Sequence, residues 1–244
     1  MPELPEVETI RRELEKEIIG KRLKGVKIIG VRRRAKILMI DLANGSSLVF
    51  HLKLTGQLLF NSKPGKESRA IFKFDDGTNL VFNDTRKFGW WKMVKGTSPI
   101  EEKFGPEPLD KNFTLKKFEK ILSQKGKSKI KPLLMDQNFI AGIGNIYSDE
   151  ILFEAGINPL RRVEGLKFDE IERIFKAIKK ILKRAIRYRG SSVEYYLDAY
   201  GQKGNYVKYH KVYHQKKCFR CGTKIEKIKL GGRSAHFCPK CQKL

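Results

Sequence analysis

The sequence predicts an α+β protein of more than one domain: an N-terminal helix with an antiparallel β-sandwich, then a helical domain, then a small metal-binding hairpin. Three observations predict it. The apolar period is two from about residue 24 to 95 and returns to 3.6 after a Pro-, Gly- and charge-rich stretch, "KFGPEPLDKNF" (103–113). Two turn signals, Asn44-Gly45 and Asp76-Gly77, sit between alternating runs. All four cysteines fall in the last 27 residues as two close pairs.

Residues 5–19 read as an amphipathic helix, with Val7, Ile10, Leu14 and Ile18 at spacings of three and four. Pro5 suits its first turn and Gly20 its end. The runs "AKILMIDL-ANG-SSLVFHLKL" and "AIFKFDDGTNLVF" are hairpins whose apolar faces need a facing sheet. Beyond 103–113, Leu115, Phe118 and Leu122 mark one helix. Ile171, Ile174, Phe175, Ile178, Ile181, Leu182, Ala185 and Ile186 mark a long one, and its lysine- and arginine-rich opposite face reads as a solvated surface.

The chain has 244 residues, room for two ordinary domains with real cores. It carries 52 Lys and Arg against 27 Asp and Glu, a net charge of +25 spread along its length. A folded domain with that excess repels itself without a polyanionic partner, and nucleic acid is the leading one. A basic or ribosome-associated protein without such specificity is the alternative. No run reaches the roughly 18 apolar residues of a membrane span. The acidic N-terminus lacks the apolar core of a secretory signal, so no membrane association and a cytoplasmic location are expected.

Cys218, Cys221, Cys238 and Cys241 form C-x2-C-x16-C-x2-C. Two close pairs of thiolates supply the tetrahedron that zinc requires, so one structural Zn2+ is expected. The alternatives are two disulfides or free thiols, and a reducing compartment argues against disulfides. Between the pairs, Lys224–Leu230 and Ser234–Phe237 flank Gly231-Gly232, which places Arg233 near a hairpin tip within reach of a phosphate or a groove. "QNFIAGIGNIYSDEILFEAGI" (137–157) has Gly142 and Gly144 for close backbone approach and Asn145 as the N-cap of a helix whose N–H groups face an anion.

The chain opens "MPELPEVE". A proline at position 2 favours removal of Met1, which leaves a secondary amine beside Glu3. That amine is either a trivial terminus or a reagent.

Seven stretches occur in one order: "PELPEVE", "RRAK" (33–36), "HLKLTGQL" (51–58), "DTRKFG" (84–89), "GPEPL" (105–109), "IKPLLMDQNFIAGIGNIYSDEILF" (130–153) and the terminal cysteine pairs. The set resembles the formamidopyrimidine-DNA glycosylase family of base-excision repair, which includes the endonuclease VIII branch, over nearly the whole chain. The resemblance implies a β-sandwich catalytic domain (1–102), a linker (103–113), a helix–two-turn–helix domain (114–210) and a zinc hairpin (211–244), with double-stranded DNA in the cleft between the halves. It implies a monomer acting on oxidised bases or abasic sites, located with the nucleoid.

The resemblance makes the Pro2 amine the nucleophile and Glu3 its acid/base partner, with glycosylase and β,δ-elimination lyase steps. It aligns Lys36 with a lysine at the lesion phosphate and His51, Lys131, Asn145 and Arg233 with phosphate-holding positions. Arg86 and Phe88 align with the wedge that fills the void of a flipped base. Leu54 stands where the family usually has Met, and Leu is the stiffer side chain. Glu6 aligns with a second N-terminal acid, or is a helix N-terminal charge. The stretch between "GKRL" and "RRAK" is shorter than is usual in the family. Leu4, Arg86 and Phe88 resemble the oxidised-purine branch, with Arg86 placed to meet an orphaned cytosine. The segment 190–206 aligns with that branch's flexible loop over the flipped base, and Gly190, Gly201 and Gly204 are expected to give it mobility. The same chemistry on oxidised pyrimidines and a non-catalytic DNA-binding scaffold are the alternatives.

Overall fold

A computed structural model describes all 244 residues. The chain forms two compact units, Met1–Lys103 with Ala185–Val207, and Phe104–Arg184 with Lys208–Leu244.

The first unit begins with α1 (Leu4–Ile18), which buries Val7, Ile10, Leu14 and Ile18. A five-stranded antiparallel sheet has the order β1 (Arg22–Leu23), β2 (Val26–Arg34), β3 (Ile37–Leu42), β4 (Ser46–His51), β8 (Trp90–Lys95). A three-stranded sheet has the order β5 (Gly56–Phe60), β7 (Asn79–Asp84), β6 (Ser68–Lys73). The expected hairpins are β3–β4 and β6–β7, and Gly45 and Gly77 take positive φ in their turns. Ile40, Leu48, Phe50, Leu80 and Phe82 from both sheets share one core with α1. α2 (Ser98–Glu101) is a short exposed turn of helix.

Tyr196 and Ala199 of the 190–206 segment belong to this same core, and Asp198 is fully buried. The segment is therefore packed into the core at these residues, while Tyr195 and Tyr200 stay exposed. A Cβ on Gly204 would lie 2.3 Å from the Arg189 carbonyl oxygen, and one on Gly190 would lie 2.7 Å from Glu6 Oε1. These two glycines allow close packing, and a hydrogen bond from Gly204 N–H to Ser192 Oγ (2.8 Å) holds the ends together.

The second unit contains α3 (Leu115–Ser123), α4 (Ile130–Met135), α5 (Asn145–Ala155), α6 (Phe168–Arg187, whose last turn belongs to the first unit) and the hairpin β9 (Glu226–Leu230), β10 (Arg233–Phe237). Short 3-10 turns lie at Val163–Gly165 and Tyr206–Tyr209. Thr114 caps α3 by accepting Lys117 N–H. Residues 104–113 pack closely: a Cβ on Gly105 would meet the Phe139 backbone at 2.5 Å, and Phe113 is buried against Phe118 and Phe175. α4 was not read from the sequence. The helix is only six residues long, too short for a periodic apolar pattern, and Pro132 is tolerated because it lies in the first turn. No helix of the structure is long and apolar enough to cross a membrane.

Candidate functional site

Pro2 and Glu3 are buried, although chain termini are usually loose. The reason is Glu6, itself 1% exposed. Its Oε2 accepts Glu3 N–H (2.8 Å) and its Oε1 accepts Ser191 N–H (2.8 Å). One carboxylate thus pins the backbone of the second-to-third residue pair and the start of the 190–206 segment. Its place at the N-terminus of α1 is also favoured by the helix dipole.

Lys36 and His51 lie side by side at the ends of β3 and β4, since Ile37 pairs with His51. Lys36 is 6% exposed. Burial, then the charges of Lys53 and Lys36, hold the His51 pKa down to about 4. The ring is therefore neutral at pH 7. Its Nδ1 accepts Lys53 N–H (3.0 Å), which leaves the proton on Nε2 as a donor.

Leu54, Arg86 and Phe88 sit on two loops joined by Asp84, which is 1% exposed. Thr55 Oγ1 donates to Asp84 Oδ1, Gly89 N–H donates to Asp84 Oδ2 (2.6 Å), and Arg86 N–H donates to Thr55 Oγ1 (3.1 Å). Gly89 is required, because a Cβ there would meet Asp84 and Phe82 at 2.9 Å. The result is an exposed Phe88 (56%) with the Arg86 guanidinium 5.2 Å from its ring centroid, and a partly exposed Leu54 (38%) on the other loop. Thr55 and Asp84 were not singled out in the sequence, although both lie in the quoted motifs.

In the second unit, Lys131 is fully buried. Its ammonium donates to Asp149 Oδ1 (2.6 Å), Asn145 Oδ1 (2.9 Å), Ser148 Oγ (3.1 Å) and the Asn145 carbonyl (3.4 Å). This corrects the expectation of a phosphate-holding lysine: a buried ammonium surrounded by four acceptors orients them. Asn145 is likewise not the N-cap of α5. Gly144 is, and Asn145 is the first helical residue. Its amide instead bridges Lys131 and Ser234 Oγ (3.3 Å), beside the exposed Arg233 that opens β10. Asp149 Oδ2 continues the chain of contacts by accepting His236 N–H (3.0 Å) and contacting His236 Nδ1 (2.9 Å).

The four cysteine Sγ atoms lie within 4.8 Å of one another, with individual pairs at 3.5–3.8 Å. A tetrahedron of sulfurs about 2.3 Å from zinc has edges of about 3.8 Å, whereas a disulfide needs about 2.05 Å. The donor set fits one zinc ion. Gln242, fully buried, accepts Cys238 N–H (2.9 Å) and donates to the Ile157 carbonyl (2.9 Å), fixing the knuckle to the segment after α5.

The family model for the formamidopyrimidine-DNA glycosylase N-terminal domain matches residues 1–30 and 21–91, that for its H2TH domain 104–196, and that for the zinc finger found in FPG and IleRS 215–244. The chain is 40% identical to the formamidopyrimidine-DNA glycosylase of Herpetosiphon aurantiacus, covering 99% of this chain and 100% of the relative. It is 42% identical to that of Carboxydothermus hydrogenoformans, covering all of both. The chain belongs to the formamidopyrimidine-DNA glycosylase family.

Solved members agree. The MutM (FPG) protein of Thermus thermophilus superposes with a TM-score of 0.91 at 35% identity, covering 99% of this chain and 98% of that one. The Lactococcus lactis Fpg in complex with abasic-site DNA superposes at 0.90 and 36% identity, covering 99% and 100%. Within the family this chain is short. Residues 21–30 are covered by both of the matched ranges of the N-terminal family model.

Proposed function

We propose that this chain is a bifunctional DNA glycosylase and abasic-site lyase for oxidised purines, 8-oxoguanine and formamidopyrimidines, with Pro2 as nucleophile. The observation that carries the reading is the buried Pro2–Glu3 terminus held by the Glu6 carboxylate. A mobile tail would have no reason to be so fixed.

Removal of Met1 turns the Pro2 nitrogen from an amide into a secondary amine. An α-amine has a reference pKa of about 7.7–8.0, so a useful fraction is neutral near pH 7. Its lone pair attacks C1′ of the lesion nucleoside. The N–C1′ bond forms, and the bond to the base breaks with its electron pair leaving on the base, which takes up the proton released by the Pro2 nitrogen. Glu3 protonates O4′ as the C1′–O4′ bond opens, which gives an iminium. The iminium acidifies C2′. Its proton passes to the Glu3 carboxylate, and the C3′–O bond breaks with loss of the 3′ phosphate. A second elimination removes the C4′ proton and breaks the C5′–O bond with loss of the 5′ phosphate, and water hydrolyses the remaining iminium to restore Pro2.

Lys36 and the neutral His51, through Nε2–H, hold the lesion phosphate. Asn145 and Arg233 hold backbone phosphates, with Lys131 and Asp149 orienting Asn145. Leu54, Arg86 and Phe88 fill the void left by a flipped base, offsetting a few kcal/mol of lost stacking. The zinc hairpin carries Arg233, and zinc takes no part in the bond changes. The protein acts as a monomer on the nucleoid.

Borohydride reduction on an abasic-site duplex tests the reading. A covalent adduct mapping to the N-terminal peptide is expected, absent from a protein with an uncleaved N-terminal tag. An adduct on an internal lysine, with Pro2→Gly still trapping fully, would overturn the nucleophile. Single-turnover excision of thymine glycol faster than of 8-oxoguanine paired with C would move the substrate to oxidised pyrimidines.

A further inference from the structure

The inner face of the five-stranded sheet extends past the three-stranded sheet that covers it. In the β4–β8 ladder Leu48 pairs with Met93 and Phe50 with Trp91, so Met93 and Trp91 are on the core side. Leu48 and Phe50 are at most 1% exposed, yet Met93 is 53% exposed and Trp91 41%. Phe72 meets Trp91 edge-on at 5.0 Å, and beyond it the face is bare. The two side chains open on a groove of about 650 Å³, walled by the β1–β2 turn and by the edge strand β6. That volume is within the range of sites that enclose a ligand.

Leu23, Lys24 and Val26 form one wall, and they lie in the segment 21–30 that both matched ranges of the family model cover. Alignment with the Listeria monocytogenes relative runs over 275 positions, against 244 residues here, so 31 positions are unfilled.

The chemistry of the groove is asymmetric. Lys24, Arg69 and Lys73 line it together with the apolar floor, and no carboxylate does. β6 and β8 each end a sheet, so each leaves a row of backbone N–H and C=O groups without a strand partner. Trp91 and Met93 are spaced two apart, so both side chains face the groove. A second copy of this chain brings +25 against +25. A nucleic acid backbone finds no use for the Met93 floor.

We propose that this groove binds an extended acidic segment of a partner protein, carrying both apolar residues and carboxylates, laid across the bare face between the β1–β2 turn and β8. Its apolar side chains cover Trp91 and Met93, and its carboxylates meet Lys24, Arg69 and Lys73. Partner binding here leaves the DNA-processing residues untouched, so it serves recruitment.

The probe is a fluorescein-labelled decapeptide alternating Asp and Leu, titrated with the full chain at about 0.15 M salt, where distant charges are screened. Binding is expected, with Met93→Glu and Lys73→Glu each weakening it about tenfold, and with borohydride trapping on an abasic-site duplex unchanged in both variants. Absence of binding, equal binding to Met93→Glu, or equal binding of an all-Asp decapeptide would overturn the proposal. Displacement of the peptide by an equimolar thymidine oligomer would assign the groove to nucleic acid instead. A sedimenting dimer abolished by Met93→Glu would assign it to a second copy.

Discussion

Glu6 Oε1 accepts the backbone N–H of Ser191 at 2.8 Å across 185 residues of sequence, while the other oxygen of the same carboxylate holds Glu3. The N-terminus and the 190–206 segment are therefore coupled through one side chain. Glu6→Ala leaves two buried N–H groups without that acceptor. We expect a loss of about 3 kcal/mol by urea denaturation and a larger loss of borohydride trapping. Gly190→Ala has φ +77 against it and a Cβ 2.7 Å from Glu6. It should reduce trapping without altering any charged group.

Arg86→Ala should blunt discrimination for C opposite 8-oxoguanine more than it slows abasic-site cleavage, because the lyase step does not read the orphan base. Asp84→Ala should reproduce this effect and also lower stability by about 2–3 kcal/mol, since it releases Thr55 and Gly89 together. Single-turnover excision opposite C and opposite A measures the first effect, and denaturation the second.

Lys131→Met removes the partner of a buried carboxylate. We expect destabilisation of about 3–5 kcal/mol. The slope of log K for DNA against log salt should be unchanged, because the ammonium faces Asp149 and Asn145 and not a phosphate. A slope smaller by about one would restore direct phosphate contact.

One zinc per chain is expected by metal analysis of protein purified under reducing conditions. Cys238→Ser should lose the metal and most DNA binding while the β-sandwich stays folded by circular dichroism. Arg233→Ala should keep zinc and weaken binding alike for every sequence. With about six phosphates contacted, the salt slope of the unaltered protein is near −5.

His51 and His210 are held by burial at pKa values of about 4, against an ordinary 6.5. Between those pH values the unfolded chain binds more protons than the folded one. Stability therefore falls as pH drops from about 6.5 toward 4, by up to about 3 kcal/mol for each imidazole. The urea midpoint at pH 7, 5.5 and 4.5 measures it, and His51→Gln should flatten the change.

The sequence by itself determined which elements form and which chemistry they carry. Val7, Ile10, Leu14 and Ile18 mark α1, Asn44-Gly45 and Asp76-Gly77 mark the hairpins, and the x2 spacings mark the zinc ligands. Each of these signals is local, confined to a few residues whose period or turn geometry needs no distant partner. The tertiary structure decided what the local signals could not. Gly190 and Gly204 look like hinges in sequence but allow close packing, because Glu6 and Arg189 approach them in space. Lys131 looks like a phosphate ligand, but Asp149 is 18 residues away in sequence and 2.6 Å away in space, and the buried charge pairs with it. Asp84 looks like part of a loop motif, and only the meeting of β5 and β7 makes it the clamp of two loops. The groove beside Trp91 is further still from local pattern. Whether an alternating strand residue is covered depends on how far the opposite sheet extends, and burial is set by that packing.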